Sequence, residues 1–188
     1  MTGGVLLEAS GLAVRYGRTV ACADVALDMR AGEVLGVVGE SGSGKSSLLM
    51  ALSGRLRPAA GTVRFDVRGA GLADIYELSE PERRRVRREE WGFVHQNPRD
   101  GLRMRISAGG NIAESLIMVG ERRYDPVRGA ALDWLERVEL DPARIDQRPG
   151  QFSGGMQQRV QIARALAHQP RLVFMDADLR RGCIRVSD

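Results

Sequence analysis

The chain has 188 residues, 43% of them hydrophobic, and a net charge of +4 at neutral pH, so it is long enough for one sizeable core. No apolar run approaches the length of a membrane span, which argues against direct membrane insertion. The N-terminus "MTGGVLLEAS" lacks the basic and apolar regions of a signal peptide, so we expect a cytoplasmic protein. Cys22 and Cys183 are too few for a disulfide framework.

The first predicted elements lead to a glycine-rich loop. Residues 5–38 have the pattern of short strands, the last being the apolar run Glu33–Val38. Gly39–Ser46 follows, and leucines at helical spacing then predict a helix from Ser46 to about Arg57. Strand, loop and helix in this order are typical of a phosphate-binding loop, where backbone N–H groups and the helix N-terminus converge on one anion.

Two side chains of this loop have a predicted chemical role. Lys45, the only lysine of the chain, can reach phosphate oxygens, and the Ser46 hydroxyl can bind Mg²⁺. The candidate phosphate-binding residues are Gly39, Glu40, Ser41, Gly42, Ser43, Gly44, Lys45, Ser46 and Ser47.

An arginine-rich segment follows a predicted strand at Thr62–Asp66. The run "PERRRVRREE", residues 81–90, has acids among its arginines, and Ser79 with Glu82 forms the pattern of a helix-starting capping box. No aromatic residue lies within the run to stack on bases. We therefore interpret it as a solvated helix and expect no nucleic-acid partner.

The next predicted elements are a strand at Gly92–Val94 and then helices. Ser107 can cap a helix that continues through Val119, and Asp125 with Pro126 can start another that ends at Val138. The segment "FSGGMQQRVQIARAL", residues 152–166, opens a helix with a Ser-Gly-Gly turn. Taken alone, this turn fits an N-capped amphipathic helix as well as an anion site. Its position just before the apolar strand "RLVFMD" favours a functional role.

Together these motifs resemble the ATP-binding cassette (ABC) ATPases. Gly39–Ser46 resembles their Walker A loop, "FVHQNP" their Q-loop, "FSGGMQQR" their signature motif and "LVFMD" their Walker B strand. The resemblance implies an α/β nucleotide-binding domain with a P-loop parallel sheet core, an antiparallel β subdomain and an inserted helical subdomain, incomplete at its C-terminus. Residues 1–176 would form the partial domain, with the helical subdomain at about 98–168, and residues 177–188 would be a non-homologous tail.

The same resemblance implies ligands and a partner. ATP would bind the Walker A loop with Tyr16 stacked on its adenine, the alternative for Tyr16 being a packed strand tyrosine. Mg²⁺ would be held by Ser46, Gln96 and Asp176. A second ABC subunit would close head-to-tail over the ATP, and the signature residues acting in trans would be Ser153, Gly154, Gly155 and Gln157.

Longer stretches indicate a narrower group. "LRPAAGTVRFD", "EWGFVHQNPRDGLRMRISAGGNIAESL" and "ALDWLERVELDPARID" resemble the ATP-binding subunits of bacterial carbon–phosphorus lyase systems, which are related to oligopeptide-transporter ATPases. The implied function is support of phosphonate breakdown, with the lyase core complex as partner. Two alternatives stay open: the ATPase subunit of an oligopeptide-type importer, and a nucleotide-binding fragment that does not hydrolyse ATP.

The residues after Asp176 depart from the ABC pattern. Ala177 stands where the family has its catalytic Glu, and a methyl group can neither accept a proton nor orient water. The switch His of the family has no counterpart, because His95 and His168 lie upstream of its place and are interpreted as structural. We expect ATP binding without efficient hydrolysis. A frameshift after Asp176 is our hypothesis for this departure, and the loss of a central strand would leave the chain marginally stable.

Overall fold

The computed structural model describes residues 4–176, and these fall into two units that divide between Arg87 and Arg88. The boundary between the units lies within one helix, α2 (Glu80–Glu89). Ala177, at the predicted catalytic position, and the predicted tail 177–188 lie outside the described residues.

The first unit is built on an antiparallel sheet. Its strands are β1 (Val5–Tyr16), β2 (Thr19–Arg30), β3 (Ala60–Val67) and β4 (Gly71–Asp74), and their order across the sheet is β2-β1-β3-β4. Leu12, Val63 and Phe65 are fully buried within this sheet. Gly61 has a φ of +86°, and a Cβ atom there would lie 2.4 Å from the carbonyl oxygen of Gly11, so a side chain does not fit at this crossing of β1 and β3.

The helix α1 (Lys45–Leu52) lies against β1 and β2, with Leu48, Ala51 and Leu52 buried. It is shorter than the predicted helix to Arg57, because the chain turns at Ser53 and Gly54 has a φ of +66°. The hydroxyl of Tyr76 lies 2.6 Å from the carbonyl oxygens of both Ala51 and Leu56, and its one proton is shared between them, which stabilises this turn.

The predicted strand Glu33–Val38 is wrong for the described structure. Residues 33–40 have no regular secondary structure, and Val34 and Val38 are 98% and 82% exposed. A parallel strand forms only where neighbouring strands satisfy its N–H and C=O groups. Among residues 4–176 no strand pairs with this segment, so its apolar residues do not form the predicted strand.

The second unit joins a short parallel sheet to a helical cluster. The strands β5 (Trp91–Val94) and β6 (Leu172–Met175) pair in parallel, Trp91 with Leu172 through Val94 with Met175. Between them lie α3 (Pro98–Gly101), α4 (Ala108–Met118), α5 (Tyr124–Arg137), two 3₁₀ turns (Pro142–Arg144 and Pro149–Gln151) and α6 (Gly154–Leu166). Their shared core includes Ile112, Leu135, Val160 and Ile162.

The helix starts predicted from Ser79 and Ser107 are confirmed, whereas α5 begins at Tyr124, one residue before the predicted start at Asp125, and has no side-chain cap. The hydroxyl of Ser107 accepts from the N–H of Gly110 at 3.1 Å at the start of α4. The N–H of Ser79 donates to the Glu82 carboxylate at 2.9 Å ahead of α2. Each bond satisfies a backbone or side-chain group at a helix end that has no partner within the helix.

Candidate functional site

The glycine-rich loop of the first unit curls through two left-handed residues. Gly42 has a φ of +82° and Gly44 a φ of +86°. A Cβ atom at Gly44 would lie 2.1 Å from the carbonyl oxygen of Ala21 on β2, so only glycine fits there. Directly after Gly44, α1 begins, and its first helical hydrogen bond runs from the N–H of Leu48 to the carbonyl of Gly44 at 2.8 Å. The positive end of α1 therefore opens on the loop.

The Lys45 ammonium folds back across this loop. It donates to the carbonyls of Gly39 at 2.9 Å and Glu40 at 2.5 Å, and to the Ser43 hydroxyl at 3.3 Å. These contacts place a single positive charge inside the ring of the loop, next to the N-terminus of α1. A cation and helix-end N–H groups around one centre fit an anion with several oxygens, such as a polyphosphate.

Tyr16, at the end of β1, lies beside the same loop. Its hydroxyl donates to the Ser47 hydroxyl at 3.3 Å, and the residue is 53% exposed. The structure therefore brings Tyr16 next to Ser47 of the glycine-rich loop, although β2 lies between them in the sequence. A half-exposed aromatic ring can stack on a flat group.

In the second unit, two predicted site residues leave one edge of the parallel sheet. Gln96 follows β5 and is exposed, and Asp176 follows β6. The N–H of Asp176 donates to the carbonyl of Val94 at 2.9 Å, which continues the pairing by one residue. Because the carboxyl ends of parallel strands meet at one edge, Gln96 and Asp176 start from neighbouring positions.

The predicted metal ligands are of the chemical types that suit Mg²⁺. Ser46, Gln96 and Asp176 offer a hydroxyl, an amide and a carboxylate oxygen, and Mg²⁺ prefers few protein oxygens supplemented by water and phosphate. Among the described residues there is no group of three or more His, Cys, Asp or Glu that would hold a metal alone. Ser46 belongs to the first unit, and Gln96 and Asp176 belong to the second.

The signature turn opens α6 as predicted. The Ser153 hydroxyl accepts from the N–H of Met156 at 3.3 Å, and Ser153, Gly154 and Gly155 are all exposed. Gln157 does not fit the expected contact with a second subunit. It is 7% exposed, and its amide donates to the carbonyls of Pro149 at 2.9 Å and Phe152 at 3.1 Å. Gln157 thus ties the segment before α6 to the helix.

Both histidines pack close to the sheet of the second unit. Nε2 of His168 lies 3.2 Å from the carbonyl oxygen of Trp91, and the ring of His95 lies 4.6 Å from that of Phe93. Burial lowers the pKa of His168, and the bond to the Trp91 carbonyl opposes this only in part. His168 is therefore neutral at pH 7.

Sequence reasoning missed Gln161. This side chain is 1% exposed within the apolar stretch of α6, and it contacts the backbone of His95, the residue before Gln96. The available signal was a glutamine between Val160 and Ile162, since a buried amide on a helix needs hydrogen-bond partners elsewhere in the fold. No helix within residues 4–176 is long and apolar enough to cross a membrane.

Comparisons with known proteins identify the group to which these motifs belong. Residues 22–178 match the family described as ABC transporter. The chain is 51% identical, over 171 residues, to the phosphonates utilization ATP-binding protein PhnK of Escherichia coli (strain K12), covering 91% of this chain and 66% of that protein. It is 38% identical over 184 residues to a peptide import ATP-binding protein of Brucella ovis, covering 94% of this chain and 55% of that protein.

The structure is similar to a solved cassette. The ATP-binding cassette MJ0796, in a dimeric post-hydrolysis state bound to ADP and Pi, superposes with a TM-score of 0.80 at 31% identity, over 89% of this chain and 72% of that one. This chain spans 55% to 66% of the length of the two curated relatives. The family match covers most of the chain, and the fold agrees with it. The chain therefore belongs to the ABC transporter family and has the α/β fold of its ATP-binding cassettes.

Proposed function

We propose that this chain is an ATP-binding ABC subunit that serves phosphonate utilisation. The observation that carries the nucleotide part is the arrangement of Lys45 inside the glycine loop with Tyr16 beside it. Bound ATP supplies a triphosphate whose oxygens replace the loop carbonyls as partners of the Lys45 ammonium. Tyr16 stacks on the base, and the backbone of Gly39–Ser47 surrounds the phosphates.

The metal and the second subunit complete the proposal. Ser46, Gln96 and Asp176 are the residues that would hold Mg²⁺, in part through water. Ser153, Gly154 and Gly155 face the ATP of a second ABC subunit, and the dimeric state of MJ0796 supports such a pairing. We leave Gln157 out of this contact because its amide is committed to Pro149 and Phe152. Residues 1–176 form the cassette domain, with the helical subdomain at about 98–168.

The phosphonate assignment is favoured over peptide import by similarity. The chain is 51% identical to PhnK and 38% identical to the peptide import protein. The proposed partner is accordingly the core complex of a carbon–phosphorus lyase, in the cytoplasm. Co-sedimentation with that complex tests this choice, and binding to a peptide permease in its place would favour the importer.

The nucleotide proposal is tested by equilibrium binding of fluorescent ATP to the purified chain. Lys45→Ala should abolish binding, because the triphosphate loses its one lysine partner.

Tyr16→Ala should weaken ATP binding about tenfold while leaving binding of inorganic triphosphate unchanged, since the ring contacts only the base. Arg84→Ala, on the exposed face of α2, is the matched control and should have no effect. Absence of ATP binding by the unmodified chain would refute the proposal.

Hydrolysis is a separate question within the same proposal. Ala177 provides no general base, so we expect phosphate release from ATP no faster than that of the Lys45→Ala variant. Steady-state phosphate release well above that background would show that another group activates water, and the non-hydrolysing assignment would then be abandoned.

A further inference from the structure

The segment from His95 to Gly101 carries Gln96 and is held at both ends by α6. Near its start, the amide of Gln161 donates to the His95 carbonyl at 3.0 Å and accepts from the His95 N–H at 2.7 Å, in the amide orientation that satisfies both groups. At its end, the Arg164 guanidinium donates to the carbonyl of Gly101 at 2.7 Å. Gln161 and Arg164 are one turn apart on α6, so they lie on the same face.

The Gln161 amide makes the two hydrogen bonds to the His95 backbone that a neighbouring strand would otherwise make. Successive residues of a strand direct their backbone groups to opposite sides, and the Val94 carbonyl accepts from Asp176 on the β6 side. The backbone of His95 therefore points away from β6, where the side chain of Gln161 meets it. A paired N–H and C=O contact is the same pattern that a strand residue would offer.

Burial and close packing against Gly101 restrict the position of the Gln161 side chain. Gln161 is 1% exposed, so its amide is shielded from water and must find partners in the protein. Gly101 leaves the space for it, since a Cβ atom there would lie 2.0 Å from a terminal atom of the Gln161 amide, the oxygen in the orientation described above, and 2.8 Å from Cδ. The Gln161 side chain thus has one position, and that position sets the backbone of His95.

We propose that Gln161 is a positioning residue that fixes the backbone of His95 and thereby the place from which Gln96, a proposed Mg²⁺ ligand, extends. The inference rests on the proposed nucleotide function. Ser153 caps the same helix, so α6 connects the signature turn to the segment that carries Gln96. Gln161 itself touches neither nucleotide nor metal and acts only through the position of Gln96.

The test measures ATP binding with Mg²⁺ and with EDTA on the 188-residue chain. Gln161→Met keeps the side-chain volume and removes both hydrogen bonds, so it should weaken binding about tenfold in Mg²⁺, the usual size for a residue that orients a ligand. Binding in EDTA should not change. In a Gln96→Ala background, Gln161→Met should have no further effect. Gln147→Ala, a partly exposed glutamine outside the signature motif, is the matched control and should bind as the unmodified chain does.

Equal weakening in Mg²⁺ and in EDTA would overturn the proposal, because it would indicate a general loss of structure. A second pair of variants covers that case. Gly101→Ala should displace Gln161 and reproduce the Mg²⁺-specific loss, while Gly101→Ala combined with Gln161→Ala should bind better than Gly101→Ala alone. No such relief would overturn the positioning role.

The failure of the proposed function is distinguishable from the failure of this inference. If the unmodified chain binds no ATP, amide hydrogen exchange of residues 95–101 decides the positioning role without a ligand. Gln161→Met should then speed exchange in this segment at least tenfold and Gln147→Ala should leave it unchanged. Unchanged exchange in Gln161→Met would refute the contact itself.

Discussion

Asn111 has its hydrogen-bonding groups satisfied at the start of α4. It is fully buried, and its amide nitrogen shares its two protons among the carbonyls of Arg103 at 3.1 Å, Ile106 at 3.2 Å and Ser107 at 3.0 Å. Its side-chain oxygen accepts from the N–H of Arg103 at 2.8 Å. One side chain therefore closes the turn between α3 and α4, and the turn depends on it.

We predict that Asn111→Ala lowers the free energy of unfolding of the second unit by about 2–4 kcal/mol, because buried backbone groups lose their partners. Urea titration followed by circular dichroism measures the change. Asn97→Ala removes an exposed cap of the short α3, so it serves as the control and should cost about 1 kcal/mol or less. Equal losses in the two variants would contradict the role of Asn111.

His168 makes the stability depend on pH. Burial lowers its pKa below the usual value of 6.5, so between the two values the unfolded chain binds more protons than the folded one. The stabilising contribution is therefore complete above about pH 6.5 and is lost as the pH falls through that window. We predict that His168→Gln flattens this part of the profile, which urea midpoints between pH 5 and 7.5 would measure. A slope identical to that of the unmodified chain would contradict the prediction.

At the scale of elements, an ion pair sets the start of the parallel sheet. Glu90 precedes β5 and is 2% exposed, and its carboxylate accepts from the Arg171 guanidinium at 3.1 Å ahead of β6. The N–H of Arg171 also donates to the carbonyl of Glu90 at 2.8 Å. Side chain and backbone thus align the first residues of both strands, which fixes where Gln96 and Asp176 leave the sheet.

We predict that Arg171→Met destabilises the second unit by about 3 kcal/mol, because it leaves a buried carboxylate without its guanidinium. Thermal and urea unfolding would measure the loss. Arg84→Met breaks a pair on the exposed side of α2, where Arg84 is 72% exposed, and should change stability by less than about 1 kcal/mol. A large effect in the control would show that arginine-to-methionine changes are harmful wherever they are made.

At the scale of the whole molecule, the segment 33–38 exposes apolar side chains. Val34 and Val38 are 98% and 82% exposed, and Leu35 and Val37 are 48% and 40% exposed. Contiguous apolar surface of this kind promotes association between molecules. These residues belong to the strand predicted before the Walker A loop. Within residues 4–176 no strand pairs with them, so their apolar side chains are available for contacts with other molecules.

We predict that the double variant Val34→Ser/Val38→Ser reduces self-association of the chain, since it removes the two most exposed valines of the segment. Light scattering during concentration measures this. Val119→Ser, at the end of α4 where the valine is 40% exposed, is the control and should have little effect. Unchanged association in the double variant would show that another surface is responsible.

Local chemistry allowed the sequence alone to predict the glycine loop, the signature helix and the capped helix starts. The preference of glycine for left-handed backbone and of serine for helix N-caps involves only neighbouring residues. The roles of Gly44, Ser107 and Ser153 could therefore be predicted without knowledge of the tertiary structure. The family and its α/β fold follow from the order of these motifs along the chain. Ala177 and the residues after it remain a sequence prediction.

Only the tertiary structure decided which polar side chains are committed to the fold. Gln157 and Gln161 have the same chemistry and lie four residues apart, yet one ties down the segment before α6 and the other holds the backbone of His95. The strand Glu33–Val38 could not be decided locally either, since a strand exists only when partners from elsewhere satisfy its backbone. Burial and pairing depend on residues far away in the sequence, and a local pattern contains no information about them.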